Sequence, residues 1–263
     1  SMENYISKYP NGLDVKRISY LLGEILFENE EWDESILNFK RVLSEPRNNY
    51  SEKSIVRICQ ALIELDDNSE ATIFLERLEN SAEATENQIY AVSNLMKMYY
   101  ENKKYDKAII YGERLILFKK INDRVKSDAY LFIARSSMIL GNRKKALSAY
   151  KMLEKDFNRE YAVEALYFKA LDNFDKKDFL NSNLVIEKIS NEFSGYKKWT
   201  GKSLLLMSKN FYELGDAFQA SYILESVIEN FNQMPNIVEE ANRNLKIIKQ
   251  AESKRNSSIE IKK

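Results

Sequence analysis

The segment LLGEILFENEEWDESILNFKRVLSEP, Leu21–Pro46, sets the frame for the whole chain. Gly23 is a small residue inside one run of helically spaced apolar positions. After the polar stretch Glu28-Asn29-Glu30-Glu31, Trp32 opens a second run, with Ser35, Phe39 and Leu43 on its apolar side. The pattern reads as two antiparallel helices joined by a short turn. Small side chains at Gly23 and Ser35 let the helices approach closely, and Trp32 fills the wedge beside them.

The frame recurs outward from this segment. Its paired small positions become Cys59 and Ala71, Met96 and Ala108, Ala134 and Ala146, Ala170 and Ser182, Ser208 and Ala220, with Met96 the loosest match. The second-helix markers Ser35, Ala71, Ala108, Ala146, Ser182 and Ala220 are spaced 36, 37, 38, 36 and 38 residues apart. Turns rich in Asp, Asn and Gly fall at one phase: Asp66-Asp67-Asn68, Glu101-Asn102-Lys103-Lys104, Gly141-Asn142, Asp175 to Asp178, and Gly215-Asp216. A single hairpin cannot bury its apolar face alone, so a repeat of this kind predicts a stack that shares one continuous core.

Composition agrees. Gly (7) and Pro (3) are too scarce to supply the turns of a β-sandwich or barrel, so nearly all of the chain reads as helix. The 263 residues contain no His, which removes the commonest general base and metal ligand. Cys59 is the single cysteine and forms neither an intramolecular disulfide nor a cysteine metal site. No apolar run is long enough to span a membrane. Ser1-Met2 reads as a remnant ahead of the native sequence, compatible with a leader or lipid anchor upstream. No cofactor or metal is expected, and the chain reads as a non-enzyme.

The phrases Leu22-Gly23, Trp32, Phe39 and Pro46, and again Leu140-Gly141, Ala146 and Tyr150, resemble the tetratricopeptide repeat, here with a period longer than 34 residues. Lys8-Tyr9-Pro10-Asn11-Gly12 and the run from Glu160 to Tyr167 are similar to cell-envelope members of that family. Those members are the outer-membrane assembly lipoprotein and the Tol-Pal coordinator. The closing phrases Gly215 to Ala220 and Leu224 to Asn230 resemble long tetratricopeptide proteins of Bacteroidetes. The resemblance implies an all-α solenoid of about six antiparallel hairpins in a right-handed superhelix. It also implies a periplasmic or outer-membrane setting, with a cytoplasmic one left open.

The repeats are expected at 16–49, 52–85, 89–123, 127–159, 163–197 and 201–234, with a capping helix at 236–252 and a polar flexible tail at 253–263. Residues 1–15 read as the end of an upstream repeat, which implies a longer parent chain or a larger envelope complex.

Function then rests on surfaces. Acid pairs such as Glu30-Glu31 and Asp66-Asp67 sit at turns, where they cap helices. The Asp66 segment lacks the alternating acids and central Gly of a calcium loop. Cys59 reads as buried packing. The aromatics Tyr105, Tyr150, Phe179, Phe211 and Tyr222 fall on phases expected in hairpin cores. The first helix of each hairpin is expected to line a groove through three positions counted from its small residue. They give Ser93, Lys97 and Tyr100; Leu131, Arg135 and Met138; Tyr167, Leu171 and Phe174; Leu205, Lys209 and Tyr212. Aromatic, Met and cationic side chains are those enriched in protein-binding hot spots. The Lys and Asn set of a carboxylate clamp is not assembled.

The leading expectation is a protein-binding scaffold that takes a partner's peptide segment in Lys97, Tyr100, Arg135, Met138, Tyr167, Phe174, Lys209 and Tyr212. Alternatives are a groove filled by the protein's own chain, or an RNA- or nucleotide-binding repeat using the basic centre. Residues 1–80 carry nine Lys+Arg against sixteen Asp+Glu, and residues 81–158 carry fifteen against nine.

Overall fold

Six turn residues occupy the left-handed backbone region: Glu30 (φ 63°), Asp66 (57°), Lys103 (58°), Gly141 (75°), Lys177 (62°) and Gly215 (87°). Each stands five residues ahead of a small marker of the sequence frame. The residue after the turn donates its amide back across the end of the preceding helix: Glu31 to the Leu26 carbonyl at 2.9 Å, Lys104 to Tyr99 at 2.8 Å, Asp216 to Phe211 at 2.8 Å. This is the Schellman closure of a helix C-terminus. The same residue is the N-cap of the next helix. Asp67 accepts the Glu70 amide at 3.0 Å and Asp216 the Gln219 amide at 2.8 Å.

A computed structural model of the chain describes residues 2–44 and 46–260, the last five of these by backbone alone. The described residues form fourteen helices and no strand. They are α1 (Met2–Lys8), α2 (Val15–Glu28), α3 (Trp32–Val42), α4 (Ser51–Glu64), α5 (Asn68–Ser81), α6 (Thr85–Glu101), α7 (Tyr105–Ile116) and α8 (Asp123–Ile139). Then come α9 (Arg143–Lys151), α10 (Arg159–Asp175), α11 (Phe179–Glu192), α12 (Lys197–Glu213), α13 (Ala217–Asn230) and α14 (Pro235–Glu260). The fold is an all-α helical-hairpin repeat.

The helices form two compact units, Ser1–Gly141 and Asn142–Lys263, so the fourth expected repeat has α8 in one and α9 in the other. Helix α14 runs to Glu260, into the stretch expected as a polar tail. Residues 261–263 of that tail lie outside the described residues, while the motif residue Pro46 is exposed in the link after α3, its carbonyl accepting from Lys16 Nζ at 2.7 Å.

In the first unit, α2 to α8 pack in chain order, each on the next. The small phases are buried, and their size is enforced. A Cβ on Gly23 would stand 2.8 Å from the Phe39 ring, and one on Gly112 would stand 2.7 Å from Ile133 Cγ1. The same Gly112 explains why Met96 is tolerated at a small phase. A Cβ there would also meet Met96 Sδ at 3.3 Å, so α7 gives up a side chain where α6 carries a large one. The wedge aromatics act as expected, Trp32 lying edge-on to Phe27 with ring centroids 4.9 Å apart and Tyr105 to Tyr100 at 5.6 Å.

Glu52 of α4 ties this unit together at a distance. Its carboxylate accepts the Glu83 amide (2.9 Å), the Ala84 amide (3.2 Å) and Asn87 Nδ2 (2.7 Å) at the start of α6. Burial alone would raise this carboxyl. Those donors and Arg47 outweigh it and hold Glu52 below the ordinary carboxylate value of 4.5.

In the second unit α9 packs on α10, and α10 to α14 follow in order. Its interior contains a hydrogen-bonded polar cluster. Ser182 donates to the Ala170 carbonyl at 2.8 Å and accepts from Asn210 Nδ2 at 2.9 Å, while the same amide reaches Asn183 Oδ1 at 2.7 Å. Tyr150 Oη donates to the buried Glu164 at 2.9 Å. Tyr222, expected in a hairpin core, is 61% exposed. It lies two residues past buried Ala220, on the opposite side of α13 from the packed face.

Candidate functional site

The eight groove residues occupy α6, α8, α10 and α12. In the first unit Lys97 Nζ lies 3.7 Å from Asp128 Oδ2, an ion pair linking α6 to α8. Tyr100 stands edge-on to Phe132 at 4.9 Å as well as to Tyr105, so it is a wedge between helices more than a free surface. Arg135 and Met138 are half-buried along α8.

One family of expected groove positions turns inward. Ser93 (7% exposed), Leu131 (2%) and Leu205 (2%) are interior residues. They sit one turn before the small phase, where successive first helices meet. Tyr167, at the same phase, is half-buried. Its ring lies 5.4 Å from that of Trp199 and 5.3 Å from that of Phe168, with Lys202 Nζ 5.8 Å above it. Burial, with Glu240 and Asp175 nearby, pushes its hydroxyl above the usual 10.

In the second unit three expected residues do converge. Phe174 from α10 and Lys209 and Tyr212 from α12 line one cavity of about 210 Å³. Helix α14 completes it with Asn244, Ile247 and Ile248, and Ser208 and Glu213 add polar edges. Ile247 is 60% exposed, while Lys209 is held at the rim by Glu240 at 3.0 Å. Ser208 Oγ and Asn244 Nδ2 are buried with no hydrogen-bond partner. The α14 contribution was not foreseen, since that helix reads as a cap. The available signal was Ile247, an apolar residue off the stripe of Ile237, Ala241 and Ile248 that faces the core.

This cavity is an apolar slot with two aromatic walls, a cation at its edge and unsatisfied polar atoms behind it. Such a slot can hold one bulky side chain. Cys59 offers no comparable chemistry. It is wholly buried, and burial pushes its thiol up to about 12. Among the described residues no cluster of three or more His, Cys, Asp and Glu is placed to hold a metal ion, and no helix is long and apolar enough to cross a membrane.

No family model matches the chain, and no curated protein matches it. Solved structures with similar helix arrangements include a tetratricopeptide-repeat protein from Parabacteroides merdae ATCC 43184. It is 14% identical, with a TM-score of 0.47, covering 91% of this chain and 89% of that one. The TPR domain of P58(IPK) is 16% identical at a TM-score of 0.33, covering 91% and 73% respectively. A Rap protein complexed with competence and sporulation factor is 14% identical at 0.35, covering 95% and 79%. At these identities the architecture stands on the helix pairing of the chain itself.

Proposed function

We propose that this chain is a non-catalytic scaffold that holds a segment of a partner protein, with the α10–α12–α14 slot as its principal docking point. The observation that carries this reading is the convergence of Phe174, Lys209 and Tyr212 with Ile247 in one cavity of about 210 Å³. Helices packed in series hold such a slot rigid before anything binds, which lowers the ordering cost of association. The nucleic-acid reading has less support. Some cations of the basic centre are already ion-paired, Lys97 with Asp128 and Arg143 with Asp172, leaving fewer counterions to release on binding.

The test is a quantitative pull-down from separate envelope and cytosolic extracts, comparing the native protein with Ile247→Ser and Lys209→Glu. Both changes fall at exposed positions, so the fold should persist. Loss of the same partners from both variants is the expected result; an unchanged partner list would sink the slot as a docking point. The envelope setting is part of the proposal on the strength of the sequence resemblance, and recovery of partners from the cytosolic extract alone would refute it.

A further inference from the structure

The outer side of the second helices carries a pattern that the groove reading does not use. Two residues past each buried marker of the first unit stands a large exposed aliphatic: Leu37 (53% exposed) on α3, Ile73 (65%) on α5 and Ile110 (52%) on α7. One helical turn on, over the same face, stands an arginine: Arg41, Arg77 and Arg114. One turn back stand Asp33, Ser69 and Asp106, all exposed. The face is therefore three parallel rows, an edge that is acidic at its two ends with Ser69 between them, an aliphatic centre and a basic edge, with one position of each per hairpin.

Helix-end electrostatics accounts for part of this, since acids favour first turns and cations last turns. It does not account for the aliphatics, or for Arg77, which stands four residues short of the end of α5 and has no ionic partner among the described residues. Several other acids of these helices are engaged elsewhere. Glu70 is held by Lys40 at 2.6 Å, Glu76 by Tyr99 Oη at 2.8 Å, and Glu79 pairs with Arg114. The Arg114 guanidinium, 47% exposed, also lies 4.9 Å over the Tyr111 ring, and Arg41 bonds Asn38 Oδ1 at 2.8 Å. Asp33 and Asp106 are left to face solvent.

Such a face is complementary to itself. Turning a second copy over about a two-fold axis that runs along the aliphatic row lays each aliphatic on its own counterpart and each acidic edge on the other copy's basic edge. Asp33 then meets Arg41 of the second copy, and Asp106 meets its Arg114. A two-fold axis across the row would set like charges together, so the charges select a single orientation. We infer that the α3–α5–α7 outer face is a homodimer interface, occupied by a second copy of this chain. The corresponding phases of the second unit hold Lys144, Leu180 and Phe218, then Ser148, Leu184 and Tyr222, then Met152, Lys188 and Ser226. That face lacks the acidic edge and the self-match.

Sedimentation velocity over a concentration series tests this with charge reversal. The native protein should show a reversible monomer–dimer equilibrium. Asp33→Arg/Asp106→Arg, with both edges basic, and Arg41→Asp/Arg114→Asp, with both edges acidic, should each weaken dimerisation at least tenfold. Their equimolar mixture should restore a heterodimer. Leu37→Ser/Ile110→Ser should weaken it equally with the charges intact, which covers the case that removing Arg114 disturbs α7. Circular dichroism confirms that each variant is folded. A native protein that stays monomeric to about 200 µM overturns the inference. So does a mixture that fails to reassociate, or a monomer that instead binds phosphatidylserine vesicles through Ile73. The groove reading stands or falls separately, because none of these residues lines the α10–α12–α14 slot.

Discussion

The two units solve one packing problem by different means. Each must bring helices close at the small phases of a repeat. The first unit does so by shape: Gly23 beneath the Phe39 ring, and Gly112 leaving space for Ile133 and Met96. The second unit, which keeps one such close approach at Gly201, adds hydrogen bonds beside these phases, Asn210 of α12 reaching the marker Ser182 and its neighbour Asn183 of α11. Shape tolerates no added atoms but is indifferent to the loss of a polar partner. A hydrogen-bonded interior has the opposite sensitivities.

The sharpest way to break the contrast is Gly112→Val. Its Cβ starts 2.7 Å from Ile133 Cγ1 and the branch adds more, so we expect a loss of about 3 kcal/mol in urea denaturation, typical of overpacking. A change below about 0.5 kcal/mol would show that α7 and α8 can separate freely. In the second unit Asn210→Leu should cost about 1–2 kcal/mol by leaving Ser182 and Asn183 short of a donor. Part of that cost is offset because Asn210 Oδ1 is itself buried without a partner. Adding Asn183→Leu should return some of the lost stability, since removing both sides of a hydrogen bond is cheaper than removing one.

Glu52 supplies a pH-dependent test. A carboxyl held below its ordinary value contributes stability that is present above that value and lost as the proton returns. Stability should therefore fall as pH drops below 4.5 and through the depressed value in the folded state, and Glu52→Gln should flatten this part of the profile. Chemical denaturation between pH 3 and pH 7 measures it, and an unchanged slope in the variant would remove Glu52 from the account.

Smaller still is Lys177→Gly. Relief of the left-handed turn (φ 62°) should raise the melting midpoint by an amount equivalent to about 0.5–1 kcal/mol. Cys59 gives a readout with no stability change at all. With its thiol pushed up to about 12, Ellman's reagent at pH 8 should react only as the first unit opens.

The repeat was legible because small residues and turn residues answer to local geometry, and the marker spacing states that geometry directly. Individual exposures were less legible. Ser93, Leu131 and Leu205 point inward because of a neighbouring hairpin, which one helix's periodicity does not describe. Tyr222 is exposed although its residue type suits a core, because two positions past Ala220 is the far side of α13. Ile247 belongs to the slot only because α14 lies beside α12, a relation between segments more than thirty residues apart. The convergence of Phe174 and Tyr212 was within reach of the frame, since both stand eight residues before a second-helix marker.

The joints between paired helices carry a consequence for how such a chain changes length. From first-helix small residue to second-helix marker the count is twelve in every hairpin, from Gly23–Ser35 through Ser208–Ala220, and the left-handed turn always falls at the seventh step. One residue closes the first helix and caps the second, so there is no slack. An insertion there would swing the second helix by about 100° and turn its apolar face away from its partner. All of the drift between 36 and 38 residues must then arise in the links between hairpins, such as 117–122. Those links are where insertions and fusions should be accepted, while the joints should reject them.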